Sequence, residues 1–228
     1  DSISGRIAKL LHPEANIQIM GFEKTELENN FFDVVIGNVP FGSYKVYDRE
    51  YESNNFLIHD YFFAKALDKV APGGLICFIT SKGTLDKANS KVRKYLAERA
   101  DLVGAIRLPN NTFKASANTE ATSDVLFLKK KDAPVICEPE WIHLGITKDG
   151  IPINSYFEDH PEMLLGTMVK DTSRFGEDRA VTIMVPREGE SLEKLLKSAV
   201  NSLPENVFAA RVEELIEEPE REENTVIP

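Results

Sequence analysis

Phe31-Phe32-Asp33-Val34-Val35-Ile36-Gly37-Asn38-Val39-Pro40-Phe41 is the stretch on which the reading of this chain turns. Its run of β-branched residues ends at a glycine, the pattern of a strand buried on both faces in the middle of a sheet. The run leads straight into Asn38-Val39-Pro40-Phe41-Gly42. An amide, a carbonyl and an aromatic ring therefore fall at the carboxyl end of a strand, where open α/β sheets gather their ligands.

Working outward, Ser2 is placed to cap a helix whose apolar residues Ile3, Ile7, Leu10 and Leu11 recur at helical spacing, ended by His12-Pro13. Ile17-Gln18-Ile19-Met20 alternates, which predicts a short strand, and Gly21 opens a polar loop. Downstream, a Tyr-rich loop (Ser43 to Asn54) precedes a predicted helix, Phe56 to Val70, stopped at Ala71-Pro72-Gly73-Gly74. Leu75 to Thr80 reads as a strand, Lys87 to Ala100 as a basic helix, and Leu102 to Leu108 and Asp124 to Leu128 as strands. This alternation predicts an α/β sandwich with a mainly parallel sheet, whose last strand enters antiparallel because no long helix precedes it.

Beyond Lys131 prolines punctuate a looser pattern. Trp141 to Leu144 suggests a short strand, Pro161 to Leu165 a helical turn, and Ser191 to Ser198 and Val207 to Glu218 helices. An acidic run from Glu213 to Glu223 reads as a solvated face or disordered end. Residues 1–131 are thus expected to be one α/β domain, and residues 132–228 an irregular and helical C-terminal extension. The chain opens on helix-like sequence without a preceding strand, so the first strands of the sheet are expected to lie upstream.

The net charge of −10 argues against a nucleic-acid partner until its distribution is read. Residues 1–134 carry 18 Lys+Arg against 17 Asp+Glu, and residues 135–228 carry 9 against 20. Lys82 to Lys131 holds 11 against 5, a locally basic stretch able to face phosphates. No apolar run is long enough for a membrane span and the start lacks signal-peptide character, so a cytoplasmic protein is expected. Cys77 and Cys137 show no CxxC spacing, and two reduced thiols with no metal site are expected.

Asn38-Val39-Pro40-Phe41 resembles the Asn-Pro-Pro-Phe/Tyr loop of methyltransferases that alkylate a planar exocyclic or amide nitrogen, the DNA adenine methyltransferases among them. Such a nitrogen is a poor nucleophile because its lone pair is delocalised. An Asn oxygen and the next carbonyl, each accepting one N–H, favour the geometry that frees it. Val39 stands where the family has its first proline, yet it still supplies the carbonyl. The order that follows is similar to the adenine methyltransferase subunits of type I restriction systems: Asn55-Phe56-Leu57-Ile58-His59, Pro72-Gly73-Gly74, Val92-Arg93, Ala105-Ile106-Arg107-Leu108-Pro109, Phe113 and Val125 to Lys129. With Asn154-Ser155-Tyr156-Phe157 and His160-Pro161-Glu162 added, it is similar to methylase segments of large methylase-helicase proteins of bacterial mobile elements.

The resemblance implies a Rossmann-like, S-adenosylmethionine-dependent fold lacking its first strands, and N6 methylation of a flipped adenine in bacterial DNA. It makes Asn38, Val39, Pro40 and Phe41 catalytic, with Phe41 stacking on the base. Phe22 and Glu23 match the place where the family contacts the cofactor's adenine, although a plain loop fits them equally. The Gly-rich loop for the methionine end is missing, so weak or no cofactor binding is expected, and the chain by itself is expected to be inactive. DNA, an upstream part and a helicase region of the same polypeptide are the implied partners. Tyr44, Tyr47 and Tyr51 either line the base pocket or pack a lid. Lys82, Lys87, Lys91 and Lys94 either touch phosphates or solvate a helix face. His59 is read as a helix residue with a satisfied hydrogen bond. Two rivals remain: methylation of RNA guanine or protein glutamine by the same loop logic, and a non-catalytic interaction module that keeps the fold.

Overall fold

Residues 1–171 and 181–208 are described by the computed structural model. The apolar run forms β1 (Phe32–Asn38), which pairs in parallel with β2 (Val70–Ser81) from Phe32 opposite Val70 to Asn38 opposite Ile79. Between them lies α2 (Ile58–Lys69), the crossover helix. Its buried Phe63, Ala64 and Leu67 join the core that holds Ile76 and Phe78 of β2.

β2 starts five residues earlier than predicted, because Ala71-Pro72-Gly73-Gly74 does not stop the chain before the strand. The four residues form an irregularity inside it, between the Phe32–Val70 and Val34–Leu75 pairs. Gly73 takes φ +75°, and a side chain on Gly74 would lie 2.7 Å from the Asp33 carbonyl. Glycine is what lets the backbone loop outward and return close to β1.

The remaining strands are β3 (Ala100–Leu108) and β4 (Ser123–Lys130), giving the order β1-β2-β4-β3. β4 is antiparallel to both its neighbours, so β1, β2 and β3 all run one way. The link from β3 to β4 contains a four-residue helix (Lys114–Ala117), too short to carry a parallel crossover. The α/β sandwich expected from the sequence is present, with a mixed sheet in which three of the four described strands run one way and only β1 and β2 are hydrogen-bonded in parallel. The basic helix is shorter than predicted, Lys91–Arg99, after a separate turn at Gly83–Asp86. Its Leu96 and Ala97 are buried on the same core as α2.

The first helix, α1 (Ser2–Leu11), is capped by the Asp1 carboxylate and not by Ser2; Asp1 accepts from the amides of Ile3 and Ser4. None of its residues is buried. The alternation at Ile17 to Met20 makes no strand, since β1 is an edge of the sheet and no described strand lies beside this segment to complete a ladder. β1 is therefore not the central strand buried on both faces that its sequence predicts: it has a described neighbour on one side only, and Val34 and Ile36 are exposed, the latter by 76%. One face of the sheet is thus open at this end.

After residue 131 the chain returns to the other end of the sheet. The strand expected at Trp141 to Leu144 is a 3-10 turn (Glu140–Ile142), because Trp141 and Ile142 both turn inward. A hairpin of Leu144–Ile146 and Pro152–Asn154 follows, then a short helix (Ser155–Asp159), a turn at Pro161–Met163 and an antiparallel pair, Thr167–Asp171 with Val181–Val185. The last described helix is Leu192–Asn201. Trp141, Ile142, Ile153, Phe157 and Leu165 belong to the same core as the sheet. The predicted helix ending at Glu218 and its acidic run fall, from residue 209 on, outside the described residues. Among the described residues no helix is long and apolar enough to cross a membrane.

Candidate active site

At the carboxyl end of β1 the backbone leaves the ladder through one more bond, from the Val39 N–H to the Ile79 carbonyl at 3.0 Å. The Val39 side chain is buried, so this residue anchors the loop in the core. Asn38 just before it is exposed. Among the described residues its side chain makes no hydrogen bond, and the Val39 carbonyl accepts none. Pro40 and Phe41 are half-buried, with Phe41 packed against the core.

Tyr44 lies over Gly42, where an added Cβ would come within 2.5 Å of its ring. Its carbonyl accepts the Ile58 amide at 2.9 Å, tying the loop to the start of α2. The tyrosines that the sequence leaves undecided divide. Tyr51 is buried, its hydroxyl donating to Asp68 at 2.6 Å, and is a packing residue. Tyr44 and Tyr47 are exposed, by 54% and 73%.

Phe22 and Glu23 fall in a 3-10 turn, Phe22–Lys24. The Phe22 ring leans on Phe62 (5.0 Å) and sits under the Lys65 ammonium (5.3 Å), so α2 holds it. Glu23 lines a cleft of about 760 Å³ together with Lys24, Asp48, Arg49, Lys65 and Lys69. Asn38 to Phe41 do not line that cleft.

Lys82 donates to the Thr182 hydroxyl at 2.7 Å, and burial pushes its ammonium pKa down against the pull of the nearby Asp86 carboxylate. The other lysines of the basic stretch are similarly engaged: Lys87 with Asp60 (2.6 Å), Lys91 with the Asn54 carbonyl (2.8 Å) and Lys94 with Glu138 (2.7 Å). His59 is buried with its Nε2 3.0 Å from the Lys87 ammonium. Its Nδ1 and the Asp60 Oδ1 are buried without a hydrogen-bond partner among the described residues. Half of the expected satisfied histidine is therefore present. Burial lowers the pKa of His59, and the neighbouring Asp60 opposes that shift.

Sequence reasoning missed a buried ionic cluster beside these lysines. The Arg107 guanidinium grips Asp124 through two bonds, donates to Asp86 at 2.6 Å and stacks on Phe157 at 4.4 Å. Asp86 in turn accepts the Asn154 amide, and the Asn154 side chain donates to the carbonyls of Leu85 and Trp141. Asn154 to Phe157, quoted above for resemblance, thus clamps the extension onto the turn that follows β2. The one signal in the sequence was an arginine inside the apolar strand pattern Ala105 to Leu108.

Residues 3–113 match the family described as Eco57I restriction-modification methylase. Defense against restriction protein B of Escherichia phage P1 is 37% identical over 148 residues, which are 62% of this chain and 6% of that protein. A Listeria monocytogenes structure assigned to the class I S-adenosylmethionine-dependent methyltransferases shares 25% identity over 50% of this chain and 36% of its own, at a TM-score of 0.38. The M protein of the type I restriction enzyme EcoKI shares 13% identity over 86% of this chain and 54% of its own, at 0.43. The chain therefore spans a small part of the phage protein and about a third to a half of these solved chains. The resemblance to restriction-modification methylases read from the sequence is borne out over residues 3–113.

Proposed function

We propose that this chain carries the target-base loop of an S-adenosylmethionine-dependent DNA adenine-N6 methyltransferase. The observation that carries the reading is a pair of idle acceptors, the Asn38 side-chain oxygen and the Val39 carbonyl, on a loop fastened by the Val39 bond to Ile79. Two acceptors one residue apart suit an amino group with two N–H bonds. Accepting both hydrogens draws the nitrogen toward a pyramid and frees its lone pair to attack, with the surplus proton passing to water. Pro40 restricts the loop, and Phe41 and the exposed Tyr44 offer flat faces to a base turned out of the duplex. Lys82 gives one ammonium hydrogen to Thr182 and keeps two for a phosphate.

S-adenosylmethionine supplies the methyl group from its sulfonium. For it the chain offers Glu23 on the charged cleft, with Phe22 beside it. No Gly-rich turn between a strand and a helix, suited to the methionine carboxylate, occurs among the described residues, so the fit is partial. Further polypeptide is assigned that role, in keeping with the exposed Val34 and Ile36 at the open edge of the sheet and with α1, none of whose residues is buried.

The test is methyl transfer from tritiated S-adenosylmethionine by the full-length product of the gene encoding this chain, offered DNA, RNA and protein. N6-methyladenine in the DNA digest is expected, with a loss of about 100-fold or more in Asn38→Ala. Label on RNA guanine or protein glutamine would move the substrate and keep the loop. Unchanged methylation by Asn38→Ala would remove Asn38 from the chemistry. No methylation of any substrate would favour the non-catalytic module.

A further inference from the structure

Between the loop after Phe41 and the start of α2 lies a separate pocket of about 320 Å³. Three rings form its floor, and each is fixed from behind by a different element. Tyr51 is held by Asp68, Tyr61 by Asp48 (2.7 Å), and Phe56 by an edge-on contact with Tyr95 at 5.2 Å. Tyr51 and Tyr61 also meet edge to face at 5.5 Å. The wall on the solvent side is different. Tyr47 is 73% exposed and has no ring or hydrogen-bond partner among the described residues. Beside it Lys45 reaches the Asn55 side-chain oxygen at 2.5 Å, leaving two ammonium hydrogens and the Asn55 amide N–H groups unused. Glu52 also lines the rim.

We propose that this pocket is a second nucleotide subsite, which stacks a base of the substrate strand close to the target base. It rests on the nucleic-acid part of the function proposed above. A rigid aromatic floor with one free aromatic wall suits a planar heterocycle, and the fixed rings need little ordering when it enters. Asn55 presents donors to a base edge, Glu52 an acceptor for an exocyclic amino group, and Lys45 a cation for the adjoining phosphate. Lys45 follows Phe41 by four residues, so the two lie within about 14 Å along the chain. Successive nucleotides of a strand are about 3.4 Å apart when stacked, which places the occupant within a few positions of the target. The volume is at the lower end for ligand pockets, which begin at about 300 Å³, and suits one base better than an extended cofactor.

The test uses this chain and a fluorescein-labelled single-stranded deoxyadenylate of about 12 nucleotides, followed by anisotropy. Tyr47→Ala is expected to weaken binding roughly tenfold, while Tyr47→Phe, which keeps the ring, stays within about twofold of wild type. Lys45→Ala should reduce the slope of log affinity against log salt by about 0.7, the value for one phosphate contact on a single strand. All three changes are on exposed loop residues, and Phe41→Ala serves as the comparison at the target-base position. If Phe41→Ala weakens binding and Tyr47→Ala does not, the subsite is wrong and the proposed function stands. Equal losses in Tyr47→Ala and Tyr47→Phe would overturn stacking. If wild type binds no oligonucleotide, the subsite and the nucleic-acid reading both fall.

Discussion

Arg107 on β3 and Asp124 on β4 are direct cross-strand partners, joined by hydrogen bonds of 2.7 and 2.9 Å with both side chains wholly out of solvent. Burial alone would lower the Arg107 pKa, but Asp124 and Asp86 together hold it up, and the guanidinium stays charged. Removing one partner strands a charge in the interior.

Arg107→Ala is therefore expected to destabilise the protein by about 3–5 kcal/mol, read as a lower denaturation midpoint in urea. Replacing the whole cluster, Arg107→Met with Asp124→Leu and Asp86→Asn, is expected to recover much of that loss, since no carboxylate is then left without its cation. An Arg107→Ala protein as stable as wild type would show that the cluster is not needed for folding.

Val39→Pro restores the proline usual in the related loop but deletes the N–H that bonds to Ile79 and puts a ring of different shape in a buried site. The Ile79 carbonyl is left without its donor, and a loss of about 1–3 kcal/mol is expected in thermal or urea unfolding. Unchanged stability would mean that this backbone bond contributes little to holding the loop.

Two glycines should respond differently to alanine. At Gly74 the new Cβ meets backbone, the Asp33 carbonyl at 2.7 Å and the Ala71 carbonyl at 2.9 Å, so the strands must part. At Gly42 it meets the exposed Tyr44 ring, which is free to swing away. Gly74→Ala is expected to cost about 1–3 kcal/mol and Gly42→Ala less than about 0.5, compared by urea unfolding.

His59 gives the protein a pH dependence. Its pKa is lowered below the ordinary 6.5 in the folded state, so on acidification the unfolded chain takes up the proton first. Its contribution is present above about pH 6.5 and is lost as pH falls, with a slope of at most about 1.4 kcal/mol per pH unit. Unfolding free energies measured from pH 7.5 to 5.0 should decline in wild type and decline less in His59→Phe. Parallel curves for the two proteins would dismiss the assignment.

That Phe31 to Gly37 forms a strand was legible from its continuous β-branched run, but its place was not: the run predicts a central strand buried on both faces, and among the described strands β1 is an edge with Val34 and Ile36 exposed. The alternation at Ile17 to Met20 misled, since period alone does not say whether a neighbouring strand exists to accept the ladder. Ala71 to Gly74 misled for the opposite reason: a turn signal was absorbed as an irregularity within β2. Of the site, the placement of Asn38 to Phe41 at a strand end was legible. The engagement of Lys82 by Thr182, a hundred residues away, was not. The Arg107–Asp124 pair was hidden in the same way, because it exists through the register of β3 on β4.

That register also sets an order of assembly. β4 is the last strand of its sheet in the chain, yet it lies between β2 and β3. While the chain is being made, β1 and β2 can pair through the helix that joins them, but β3 has no described strand to bond with until residues 123–130 have left the ribosome. Until then two edges remain open and the site of the Arg107 cluster cannot close. Nascent chains stopped before residue 123 should hold a two-stranded unit and a protease-sensitive third strand, and those released after residue 130 should resist cleavage there.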